Sequence, residues 1–181
     1  MEKDNIEKDD TKTEEWFSRQ RCSTMARKCF DKSIIKDMPV IWLIGPTGSG
    51  KGTQCDKLRS KYGFTQLSSG ELMRKEVLEG TERSQLLVET MKEGKPVSNS
   101  IVIDVVARAI VSLAPDAKGF ILDGFPTDLE QADEFVREFG APNLVIHCNC
   151  NNRILRERLI GRNNFDDNEE AIVNQFKLQL N

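Results

Sequence analysis

The stretch from Ile44 to Gln54, IGPTGSGKGTQ, gathers glycines, hydroxyls and one lysine into a short run. Gly45, Gly48, Gly50 and Gly52 permit a tight backbone turn that aims N–H groups inward. A helix starting behind such a turn adds the positive end of its dipole. Ser49 and Thr53 contribute hydroxyls, and Lys51 supplies a point charge able to reach the β- and γ-phosphates of a nucleotide. The chemistry that suits this set is the binding of a polyphosphate. One detail departs from the common pattern of such loops. Gly52 stands directly after the lysine, where Ser or Thr is usual, and Thr53 comes one residue late.

The elements around the loop have to position it. VIWLIG before it is a short apolar run of the kind found in buried strands. KGTQCDKLRSKYG after it has a helical pattern closed by Gly63. FTQLSSGELMRKEVLEG begins as a strand, then opens a helix at a Ser68–Ser69 cap with Glu71 in its first turn. ERSQLLVETMKEG and NSIVIDVVARAIVSL are two further helices. GFILDGFP is a second buried strand running into a turn. DLEQADEFVREFG is helical, NLVIHC is a strand, and NRILRERLIGR and NEEAIVNQFKLQLN are helical. Strands alternating with helices of this length predict a parallel sheet covered on both faces, with the loop between the first strand and its helix.

The chain has 181 residues and a net charge of −3, which argues for a single core and against a nucleic-acid or anionic-membrane surface. No apolar run is long enough to span a bilayer. The N-terminus is too acidic for a signal or transit peptide. Five cysteines at spacings unlike a disulfide framework point to a reducing, cytoplasmic setting. The HCNC segment is read as small buried thiols rather than as metal ligands, because no second ligand pair accompanies it. Residues 1–37 are polar and weakly periodic and read as a charged, flexible arm. Trp16 and Phe17 are its candidate docking segment for a protein partner. Residues 38–181 form the expected domain.

GSGKGTQC followed by KYGFTQLSSGELMR resembles the nucleoside-monophosphate kinases, and the adenylate kinase family above all, which carries Gly-Lys-Gly-Thr in its phosphate loop. The resemblance runs from about Pro39 to the last residues. It implies a P-loop, doubly wound α/β sheet with a small helical acceptor-binding insertion between about Ser69 and Val97 and a short lid near residues 162–167. It also implies ATP and AMP as ligands, Mg2+ carried with ATP, and a monomer. In LSSGELMR, Ser69 keeps the family's acceptor-side hydroxyl, Gly70 its close backbone approach, and Arg74 its pairing with the AMP phosphate. Uridylate and cytidylate kinases usually carry Ala at the Ser69 position. Val97 of GKPVSN matches the valine against the AMP base, and Gln131 the glutamine that reads adenine. In FILDGFP, Gly124 joins the acceptor set. Asp123 is the acidic group near the magnesium and its waters, with no direct metal ligand implied. Arg158 and Arg162 of RERLIGR match the residue packed on the ATP base and an arginine at the phosphates. Lys51, Asp123 and Arg162 are the catalytic candidates.

Three places depart from the family pattern. Thr127 occupies the position of an AMP-phosphate arginine after the DGFP turn, Asn164 that of the lid arginine, and Gln175 that of a helix arginine at the transferring group. The sequence also stops at Asn181, before the family's next helix, edge strand and closing helix, so the domain is expected to be incomplete there. Phosphoryl transfer depends on positioning and on positive charge over the equatorial oxygens. Losing those arginines predicts a slow phosphotransferase of the reaction ATP + AMP ⇌ 2 ADP. The alternative is a nucleotide-binding pseudoenzyme acting through a partner. A different monophosphate kinase or a general NTPase is opposed by Ser69 and Gln131.

Overall fold

In a computed structural model of the chain, residues 35–160 are described. The arm with Trp16 and Phe17, the expected lid, Arg162, Asn164, Gln175 and the final predicted helix lie outside them.

Four strands and six α-helices alternate along the described residues. The strands are β1 (Val40–Ile44), β2 (Thr65–Ser68), β3 (Phe120–Asp123) and β4 (Leu144–His147). The helices are α1 (Lys51–Tyr62), α2 (Ser69–Leu78), α3 (Glu82–Lys92), α4 (Asn99–Leu113), α5 (Leu129–Phe139) and α6 (Asn152–Ile160). The strands form one parallel sheet in the order β2-β3-β1-β4. This is the α/β, phosphate-loop architecture expected from the alternation.

Local chemistry explains the element ends. Gly63 closes α1 in the left-handed region at φ 68°, donating its N–H to Arg59 O. Ser68 caps α2 by accepting from Glu71 N. Thr81 and Ser84 form a reciprocal capping box on α3. Asp128 caps α5 by accepting from Gln131 N.

The central strands carry the core. Leu43, Phe120, Ile121 and Leu122 are fully buried. Trp42 meets the ring of Phe135 edge-on at a centroid distance of 5.5 Å, and Phe125 lies 5.5 Å from Phe135 in turn. This aromatic cluster fixes α5 against the sheet, at roughly 0.5–1.5 kcal/mol per pair beyond area burial. β4 departs from the expectation of a sheet covered on both faces. Leu144 and Val145 are about half exposed, at 51% and 46%. The reason is position: β4 lies at the sheet edge, with β1 its one strand partner among the described residues.

Candidate active site

Strand register alone brings the predicted site residues to one end of the sheet. Asp123 is the last residue of β3, and it is aligned with Leu43 of β1 on one side and Ser68 of β2 on the other. The residues that follow these three strands therefore emerge together, at the carboxyl ends where open α/β sheets bind ligands. They are the glycine loop after β1, Ser69 and Gly70 opening α2, and Gly124 after β3.

The loop is shaped by its glycines, though not by all four. Gly45 has φ 133°, and a Cβ there would land on the Cys148 carbonyl oxygen at the end of β4. Gly48 has φ 86°, and its Cβ position lies 3.2 Å from Leu155 O of α6. Gly50 is the left-handed N-cap of α1, at φ 95°. Gly52 corrects the sequence reading: it lies within α1, and a Cβ there would meet nothing within 4 Å. It is a helix residue and takes no part in the turn. No acidic residue stands in the first turn of α1, so the positive helix end faces the loop without a competing charge. Ser49 Oγ is buried without a hydrogen-bond partner, an orphaned polar atom of the kind a ligand can satisfy. Thr53 is exposed.

Charge converges on the same end. Lys51 Nζ donates to Gly45 O and Pro46 O, both at 2.9 Å. Arg158 reaches across from α6, its Nη1 donating to Gly48 O at 3.0 Å. At the start of α2, Ser69 Oγ donates to Gly124 O at 2.8 Å, with Asp123 O at 3.3 Å. The Cβ position of Gly124 lies 3.2 Å from Ser69 Oγ and 3.7 Å from Lys51 Cε. Lys51 and Ser69 thus both approach the space over Gly124, a residue that has no side chain. Arg74 lies along α2 with its guanidinium nitrogens 3.5 Å from the Cβ position of Gly70.

Asp123 is buried, and that burial pushes its carboxyl above the ordinary value. Lys51 opposes the shift, Glu71 adds to it, and hydrogen bonds from Gln66 and Cys55 oppose it again. Gln66 Nε2 donates to Asp123 Oδ2 at 3.4 Å. Burial, with the charge of Asp123 next, raises the Cys55 thiol to about 12, so it stays protonated as a donor. Sequence reading passed over both neighbours of Asp123. Cys55 had a readable signal, since it follows Lys51 by four residues and so shares its helix face. Gln66 had none, because strand register brings it to Asp123.

Gln131 and Val97 are placed differently from the rest. Val97 is half-buried in the segment between α3 and α4. Gln131 is 2% exposed, and its carboxamide is engaged within the protein. Its Oε1 accepts from Thr127 N at 3.0 Å, and its Nε2 donates to Asn99 Oδ1 at 2.8 Å. Thr127 itself is exposed. Among the described residues no three His, Cys, Asp or Glu side chains gather as a metal cage. A single carboxylate beside a phosphate loop fits a metal that arrives with its nucleotide, held by phosphates and water. Nor is any described helix long and apolar enough to cross a membrane.

Comparison with known proteins agrees with this geometry. The family model described as adenylate kinase matches residues 43–180. Adenylate kinase isoenzyme 1 of Cyprinus carpio is 39% identical over 148 residues, covering 80% of this chain and 76% of that protein. Isoenzyme 1 of Homo sapiens is 39% identical over 147 residues, 79% of this chain and 76% of that protein. Isoenzyme 5 of Homo sapiens is 40% identical over 147 residues, which is 26% of its own length. With that similarity reaching from β1 through the loop, α2 and Asp123, this chain belongs to the adenylate kinase family of nucleoside-monophosphate phosphotransferases.

Proposed function

We propose that the chain catalyses ATP + AMP ⇌ 2 ADP at a rate well below that of an enzyme with the full arginine set. The observation that carries this reading is the meeting of Lys51 and Ser69 over Gly124. It sets a donor-phosphate loop and an acceptor segment side by side, the arrangement that transfer between two bound nucleotides requires.

In this reading the N–H groups of Thr47, Gly48 and Gly50 and the Ser49 hydroxyl receive the ATP phosphates. Lys51 leaves its carbonyl partners for the β- and γ-phosphates, Thr53 stands by as a hydroxyl, and Arg158 lies against the ATP base. Ser69, Gly70 and Arg74 hold AMP by its phosphate end, Val97 packs on its base, and Gln131 reads it once its amide turns from Asn99. An AMP phosphate oxygen forms a bond to the γ-phosphorus as the bond from that phosphorus to the β–γ bridging oxygen breaks. Asp123 would hold the waters of a Mg2+ that ATP carries. The ion, when bound with ATP, would neutralise charge developing on the phosphate oxygens. Arg162 is assigned to the same phosphates by the resemblance alone.

Thr127 favours a second reading, a nucleotide-binding pseudoenzyme. Its hydroxyl can donate a hydrogen bond but carries no charge, and it stands where the family holds an arginine. Removing one arginine from a phosphoryl-transfer site slows the reaction by roughly 10³–10⁵, about 4–7 kcal/mol of barrier. A coupled assay for ADP formation, run beside calorimetric binding of Mg–ATP and AMP, separates the readings. Turnover above background that requires AMP supports the kinase. Tight nucleotide binding without AMP-dependent turnover leaves the pseudoenzyme.

A further inference from the structure

We infer that Glu76 is a positioning residue for the acceptor nucleotide, fixing the rotation of α2 and with it the reach of Arg74. The inference rests on the kinase reading above. Glu76 lies on the inner face of α2 and is 5% exposed. A carboxylate that buried is strongly destabilising unless it is paired. Two arginines from two other helices meet it. Arg108 of α4 donates through Nη2 to Oε2 at 3.0 Å, and Arg83 of α3 places Nε 3.5 Å from Oε1. Both arginines also share Asp104 of α4. Arg83 Nη1 lies 3.0 Å and Arg108 Nε 3.4 Å from its Oδ2. Arg83 Nη2 donates to Ile101 O at 3.2 Å, and Ser84 Oγ donates to the Glu76 carbonyl at 2.7 Å.

Burial of Leu72 and Met73 turns one broad face of α2 inward, but non-directional contacts leave its exact rotation loosely set. A planar guanidinium bound to a carboxylate fixes it. Arg74 precedes Glu76 by two residues, so at about 100° per residue it points from nearly the opposite side of α2. Anchoring Glu76 against Arg83 and Arg108 therefore aims Arg74 outward, over Gly70 and towards the end of α2 that meets Gly124. Ion pairs distant from the nucleotide thereby set where the AMP-phosphate arginine reaches.

The test is calorimetric affinity for AMP and for Mg–ATP, measured separately on the full chain. Glu76→Gln keeps the shape and removes the charge. It is expected to weaken AMP roughly tenfold, the equivalent of one charge-assisted contact, and to leave Mg–ATP within about twofold. Pairing amide with amide in Glu76→Gln/Arg108→Gln should recover part of the AMP affinity. Asp104→Asn, at a half-exposed position, keeps the question open to measurement if Glu76→Gln folds poorly. It should weaken AMP about threefold in the same selective way. Equal loss of both nucleotides in step with melting temperature, or unchanged AMP affinity, would overturn the positioning role. A wild-type chain that binds Mg–ATP but no AMP would remove the kinase reading together with this inference.

Discussion

The proposed donor and acceptor sides of the site are made of different material. The donor loop is almost all backbone: three positive-φ glycines, a helix N-terminus and carbonyl oxygens that hold Lys51. The acceptor side is made of side chains from distant parts of the chain, with Ser69 on Gly124, Glu76 between two arginines, and Gln131 between Asn99 and Thr127. A backbone cradle tolerates little, since a Cβ added at Gly45 or Gly48 meets main chain that cannot swing aside. A side-chain scaffold can be retuned by single substitutions, and the proposed acceptor side is where Thr127 stands in place of the arginine expected from the resemblance.

The contrast is open to direct attack. Lys51→Met should produce the largest change. It removes the charge held closest to the loop and should weaken Mg–ATP by roughly 10- to 150-fold, the equivalent of about 1.5–3 kcal/mol, while AMP affinity changes little. Calorimetry reads both, and unchanged Mg–ATP affinity in this variant would sink the phosphate-loop assignment. Gly45→Ala tests the backbone cradle. Its methyl would meet the Cys148 carbonyl, and overpacking of this kind destabilises by about 1–3 kcal/mol. Thermal unfolding measures it, and a melting temperature equal to wild type would contradict the close approach. Gly52→Ala, with open space around its Cβ, should instead leave the unliganded fold as stable or firmer by up to about 1 kcal/mol.

On the tunable side, Thr127→Arg should tighten AMP about tenfold through one charge-assisted contact and raise the rate of ADP formation. Tighter AMP with no gain in rate would move the limiting defect elsewhere. The smallest effect concerns pH. Burial holds the Asp123 carboxyl above its ordinary value, so the folded chain keeps this proton to higher pH than the unfolded chain does. Stability then falls as pH rises through the elevated value, because the carboxylate ionises in a buried place. The melting temperature of Asp123→Asn should exceed wild type at neutral pH, and the two should converge in acid. Parallel curves across that range would mean that Asp123 is ionised without penalty.

These regions also differ in how far the sequence disclosed them. Apolar runs, glycine stops and Ser or Asp caps are local signals. The strands and helices from Val40 to Ile160 therefore follow from neighbouring residues, as does the loop with its lysine. Only Gly52 is misread within that loop, because a glycine just inside a helix looks the same in sequence as one in the turn before it. The exposure of β4 was hidden, since position in a sheet depends on strand order rather than on the strand's own residues. The supports of the acceptor side were hidden for a similar reason. Glu76 reads as an ordinary helix charge until α3 and α4 bring Arg83 and Arg108 to it. Asn99 and Gln66 likewise acquire a role only from partners 32 and 57 residues away.

The resting place of Lys51 has one more consequence. With its ammonium on the carbonyl oxygens of Gly45 and Pro46, the cradle satisfies its own cation. A nucleotide entering it performs an exchange, in which two neutral acceptors give way to charged phosphate oxygens. Affinity is then the difference between two coordination shells of the same nitrogen. A ligand that brings only one phosphate oxygen to that nitrogen should displace the lysine incompletely, so Lys51 favours a nucleotide whose β- and γ-phosphate oxygens both reach it.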